Sequence, residues 1–220
     1  MSGSMSLFPM FLKLTGRKCV VVGAGTIAED KIISLLAAEA DITVIAPAVN
    51  NRVRELANSG RVSLIERSFV ASDLADAFLV IAATASTSVN REIFEEAQLR
   101  GVLCNAVDDP ENCDFYFPAV VQRGALQIAI STAGESPALA QRLRVEIEEQ
   151  LDAGTGDWLT RLGEARREVL ATVPAGEQRR QLLHRLSTRE ICDAAECPSR
   201  KLIARAQESA ALQRKQGVGS

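Results

Sequence analysis

Lys18-Cys19-Val20-Val21-Val22-Gly23-Ala24-Gly25-Thr26-Ile27-Ala28 is the stretch that decides the fold. Its run of valines has the length and composition of a buried strand. A helical pattern follows over 28–38, marked by Ile27, Lys31, Ile32, Leu35 and Leu36. Gly23-x-Gly25-x-x-Ala28 therefore lies between a strand and a helix, the context in which this spacing indicates dinucleotide binding. Gly23 permits the tight turn, and Gly25 lets backbone approach a pyrophosphate. Ala28 allows close helix–strand packing, while the helix N-terminus faces the phosphate charge. Gly23, Gly25, Thr26 and Ile27 are the candidate cofactor-binding residues of this turn.

Working outward, apolar runs at 42–46, 62–66, 78–82 and 102–107 alternate with helical patterns at 52–58 and 89–100. Strands separated by helices of this length predict an α/β, Rossmann-like parallel sheet with helices on both faces. The second strand ends Ile45-Ala46-Pro47-Ala48, without the acidic residue that usually takes the adenine ribose hydroxyls. Pro47 and Ala48 are candidate cofactor contacts there, and NAD and NADP stay unseparated by residues alone.

The pattern changes after 112. Residues 117–122 and 125–131 read as two strands joined at Arg123-Gly124, a ribbon too short to stand alone. Ser136-Pro137 marks a helix start, with serine as N-cap and proline at the first helical position. Leu139, Leu143, Ile147 and Leu151 give that helix an apolar stripe. Residues 157–206 carry only helical signals, and the polar tail 207–220 is expected to fray. The predicted organisation is a nucleotide-binding domain over 1–112, a β dimerisation region and linking helix over 113–148, and a helical domain over 149–220.

Composition narrows the function. A net charge of −3 on 220 residues argues against a dedicated nucleic-acid binder. No apolar run reaches the ~20 residues of a membrane helix, and the start lacks a signal-peptide pattern, so a cytoplasmic protein is expected. The five cysteines form no C-x-x-C pair, and Cys192 and Cys197 are too loosely spaced to make a zinc site by themselves. No metal site is predicted. With His184 as the only histidine, Ser-His-Asp chemistry is a poor fit. No G-x-x-x-x-G-K-[ST] loop occurs, and the sole tyrosine, Tyr116, has Val120 four residues on rather than the lysine of short-chain dehydrogenases.

Several segments resemble the siroheme synthase amino-terminal module, the precorrin-2 dehydrogenase and sirohydrochlorin ferrochelatase family. They are Leu7–Leu12, the Gly23–Ala28 turn, Ile81-Ala82-Ala83-Thr84 with Asn90, and Cys104-Asn105-Ala106-Val107-Asp108. The resemblance is strongest over Phe117–Gly124 and Ala129–Ala140. Asp30 stands where the family commonly has arginine. The resemblance implies NAD-dependent oxidation of precorrin-2 to sirohydrochlorin, with Thr84 among the cofactor contacts. It leaves open whether ferrous iron is a second substrate; iron is not implied as a bound cofactor. The chain is also expected to consume precorrin-2 rather than make it, because no methyltransferase domain follows. A homodimer formed through residues 113–136 is implied as well.

Asp108 is the candidate catalytic residue. It ends a predicted parallel strand, where ligands bind in open α/β sheets, and the family places its key aspartate there. A carboxylate at this point can accept the proton lost on oxidation. The tetrapyrrole substrate bears eight carboxylates, so cations are needed: Arg123 and Arg142 are candidate substrate contacts, with Thr132 matching a family hydroxyl residue. Two alternatives stay open, a dehydrogenase that leaves chelation to a separate enzyme and a non-catalytic NAD-sensing module.

Overall fold

A computed structural model describes residues 7–188 and 197–216; Cys192 and the last four residues of the tail lie outside that range. The described chain forms two compact units, which divide after Phe117.

The first unit, 7–117, is built on five parallel strands: β1 (Lys18–Val22), β2 (Asp41–Ile45), β3 (Ser63–Ile65), β4 (Leu79–Ala82) and β5 (Leu103–Ala106). Their order is β3-β2-β1-β4-β5, the doubly wound arrangement expected from the alternating pattern. Three helices connect them: α1 (Thr26–Ala37), α2 (Asn51–Asn58) and α3 (Thr87–Arg100). The valine run of β1 serves both faces, as a parallel sheet covered on two sides requires. Cys19 and Val21 pack with Ile32, Leu35, Val53 and Leu56 on one side. Val20 and Val22 pack with Ile93, Ala97 and Cys104 on the other. Burial pushes the thiols up, Cys19 to about 11 with help from Asp41, and Cys104 to about 12 with help from Asp114 and Cys113. Both are core residues, without thiolate character at neutral pH.

The register levels the strand ends. Val22 pairs with Ile45 and Ala82, and Ala82 pairs with Ala106. Backbone bonds continue one residue further, from Gly23 N to Ile45 O at 2.9 Å, Ala83 N to Val22 O at 2.8 Å, and Val107 N to Ala82 O at 2.9 Å. The loops after β1, β2, β4 and β5 therefore leave the sheet side by side. The order reverses between β1 and β4, which makes their carboxyl ends the natural crevice.

The second unit starts with an antiparallel hairpin, β6 (Ala119–Arg123) and β7 (Leu126–Ile130). Arg123 pairs with Leu126, so the turn residues are Gly124-Ala125, one position later than the Arg123-Gly124 read from sequence. Gly124 takes φ +58 in that turn, and a Cβ there would lie 3.1 Å from Gly156 Cα. Helix α4 (Pro137–Gln150) begins as predicted, Ser136 Oγ accepting from Leu139 N–H at 3.2 Å. Its apolar stripe is not buried within the unit; Ala140 is its one buried residue. Leu139 and Val145 on α4, and Val120 on β6, stay about two-fifths exposed. Helices α5 (Thr155–Thr172), α6 (Glu177–Leu186) and α7 (Pro198–Gln216) share a core of Ala165, Val169, Leu182, Leu186 and Ile203. Helix α7 runs well beyond the limit at 206 that polarity suggested, because Ala210 is buried. Among the described residues no helix is long and apolar enough to cross a membrane.

Candidate functional site

Gly23 and Gly25 do different work. Gly23 has φ +112, and a Cβ on it would stand 2.3 Å from Ala83 O, so the β1–α1 turn presses directly on the loop after β4. Only glycine permits that approach. Gly25 is extended, at φ −87 and ψ −172, and a Cβ there would meet no atom within 4 Å. Among the described residues, none stands close enough to require glycine at 25. The open space lies at the start of α1, whose N-terminus has no side-chain cap. A bare turn at an uncapped helix N-terminus fits a dinucleotide pyrophosphate. Thr26 and Ile27 open the helix and are exposed, and Pro47 and Ala48 are exposed in the loop after β2.

Thr84 also braces the scaffold. Its hydroxyl lies 2.7 Å from Asn90 Oδ1, its N–H donates to the same oxygen at 3.1 Å, and Asn90 Nδ2 donates back to Thr84 O at 3.3 Å. Asn90 is 4% exposed on α3, so this network fixes the loop that Gly23 abuts.

Asp108 follows β5 with φ 60, the left-handed region that aspartate tolerates better than most residues. Asp109 does not share its freedom. Asp109 Oδ2 accepts from Asn112 Nδ2 at 2.6 Å, tying it to the 3-10 turn Pro110–Asn112. The rest of the loop is pinned from below. Asp114 Oδ2 accepts from Cys104 N–H at 2.8 Å, Asn105 Nδ2 donates to Phe115 O at 2.7 Å, and Cys113 Sγ lies 3.1 Å from Ala106 O. Asp108 thus stands on a rigid loop, at the rim of a pocket of about 180 Å³. Asn105, Cys113, Tyr116 and Lys31 also line that pocket. Sequence reading missed Lys31 as a site residue. The available signal was a lysine at a position of α1 otherwise spaced for apolar burial.

The substrate candidates belong to the second unit. Thr132 Oγ1 accepts from Ser136 N–H at 3.2 Å. Arg123 pairs with Glu148 at 2.8 Å and Arg142 with Glu146 at 3.2 Å. Glu148 also takes Arg144, and its carboxyl is held below the usual range, chiefly by the Arg123 hydrogen bond.

Residues 10–119 match an NAD(P)-binding family, and residues 123–150 match the sirohaem biosynthesis protein central family. Siroheme synthase 1 of Serratia proteamaculans (strain 568) is 38% identical over 177 residues, which is 80% of this chain and 37% of the relative. Siroheme synthase of Nitrosococcus oceani is 39% identical over 144 residues, 66% of this chain and 31% of the relative. The chain thus spans about a third of the length of these curated relatives. Among solved structures, the precorrin-2 dehydrogenase SirC superposes with a TM-score of 0.70 at 25% identity, covering 96% of this chain and all of that one. On the nucleotide-binding and central family matches together with these relatives, the chain belongs to the siroheme synthase amino-terminal module family.

Proposed function

We propose that the protein oxidises precorrin-2 to sirohydrochlorin with NAD. The observation that carries this reading is the pairing of an open glycine turn with an aspartate on a rigid loop, both at the carboxyl ends of one parallel sheet. NAD, when bound, supplies the hydride acceptor. Gly25 gives its pyrophosphate backbone access, with Thr26 and Ile27 at the helix start and Pro47, Ala48 and Thr84 on the flanking loops. Asp108 accepts the proton that leaves with the hydride, so charge and atoms balance. Its exposed carboxylate suits that exchange. The likeness to a precorrin-2 dehydrogenase over nearly the whole chain supports the assignment.

Iron insertion is proposed as a second step, supported by the siroheme synthase names of the relatives; ferrous iron is then a substrate. Thr132, Arg123 and Arg142 are proposed tetrapyrrole contacts, the arginines exchanging glutamate partners for substrate carboxylates. Work in the cytoplasm is part of the same proposal. The test is anaerobic incubation with precorrin-2 and NAD, followed by ferrous iron. Absorbance should report sirohydrochlorin and then siroheme. NAD binding without any turnover would favour the sensing module and overturn the reading.

A homodimer is part of the proposal. The exposed Val120 on β6, and Leu139 and Val145 on α4, support it. Light scattering at micromolar concentration should return twice the chain mass; a monomer would remove the claim.

A further inference from the structure

Among the described residues, Lys31 is the one basic side chain lining the pocket of Asp108. Its ammonium sits 3.9 Å from the centroid of the Phe117 ring, which Phe115 braces edge-on at 5.6 Å. An aromatic face steadies a cation without using up its N–H donors. Among the described residues Lys31 makes no ion pair, whereas Arg123, Arg142 and Arg144 each have a glutamate. Burial lowers the Lys31 pKa, and the negative charges of Asp30 and Asp108 only partly oppose this. Folding thus pays to hold this cation in place, and that pattern marks residues kept for binding.

The charges around the pocket say what would bind. Asp108 and Asp109 face it from the β5 loop, while burial pushes the Cys113 thiol up. Without Lys31, the ionised groups lining the pocket would be carboxylates alone. An anionic substrate could not then settle beside Asp108 without repulsion. The pocket, about 180 Å³, is sized for one carboxylate arm rather than for a macrocycle. We infer that Lys31 grips one carboxylate arm of the tetrapyrrole and so docks the anionic ring against the acidic loop that carries Asp108. This rests on the precorrin-2 reading above.

The test uses the full chain with Lys31→Met and Lys31→Arg, and a metal-free porphyrin octacarboxylate as a non-reacting probe. Absorbance titration at low ionic strength should show binding weakened about 10-fold or more by methionine, as expected for loss of a charge-assisted contact. Arginine should restore most of it. The gap between wild type and methionine variant should narrow as salt rises. NAD affinity should not change, and the melting temperature of the methionine variant should be equal to or above that of wild type. Equal probe affinity in wild type and Lys31→Met would overturn the inference. So would a methionine variant that melts earlier and loses NAD affinity in step, since that marks a structural lysine. Failure of the parent reading looks different: wild type would not oxidise precorrin-2, whatever the titrations show.

Discussion

Asp108→Asn is expected to lower the rate of precorrin-2 oxidation by about 100-fold or more, the size of effect that general-base removal produces. Asparagine keeps the shape of the side chain and tolerates the left-handed backbone at φ 60, so the loop held by Asp114, Asn105 and Cys113 should stay as it is. The negative charge is lost, and with it the ability to take a proton. NAD affinity should be unchanged, because the dinucleotide is assigned to the glycine turn and its flanking loops. Alanine is the less clean substitution. At positive φ it adds backbone strain of about 1 kcal/mol, which would blur loss of chemistry with loss of loop order. Insertion of iron, where present, should fall together with oxidation, since pyrrole protons must also leave. Anaerobic rates measured under saturating NAD check this. An asparagine variant as fast as wild type would remove the base role from Asp108.

The two glycines of the turn should fail in opposite ways. Gly25→Val puts a branched side chain into space that no protein atom occupies, at an extended φ that valine accepts. Calorimetry should show NAD affinity reduced by about 100-fold or more, with the melting temperature nearly unmoved. Gly23→Ala forces a methyl group to 2.3 Å from Ala83 O at φ +112. A clash with backbone combined with a disfavoured φ costs about 3 kcal/mol or more, so melting should fall by on the order of 10 °C. Wild-type NAD affinity in Gly25→Val would reduce the turn to a purely structural device. An unaltered melting temperature in Gly23→Ala would contradict the contact with Ala83.

The sheet was readable because its strands are short runs rich in apolar residues, most of them set apart by helical patterns, and β1 falls on the same five residues in sequence and structure. Helix α4 was readable from Ser136-Pro137 for the same reason, since capping is a local property. What sequence could not supply was partnership. The hairpin turn slipped by one because the dipeptide Arg123-Gly124 looks like a turn, whereas the ladder pairs Arg123 with Leu126. Arg123 and Arg142 read as available cations, but the glutamates that hold them become visible only once the helix is formed. Lys31 fitted the helical spacing and passed unremarked, because the ring beneath it, Phe117, lies at the far end of the same unit in sequence. The stripe of α4 was visible as a stripe, but periodicity does not say which surface it meets.

The left-handed turn at Asp108 also narrows what this position can become over generations. Glycine and asparagine are, with aspartate itself, among the residues that take φ near 60 at small cost. A lineage drifting here under selection for folding alone would therefore pass most easily to asparagine or glycine, neither of which accepts a proton. Such a descendant would keep its sheet, its glycine turn and its grip on a dinucleotide while carrying out no oxidation. With Asp108 as the proposed base, the backbone that presents it is also a ready exit from catalysis, and it leads to a cofactor-binding protein rather than to an unfolded one.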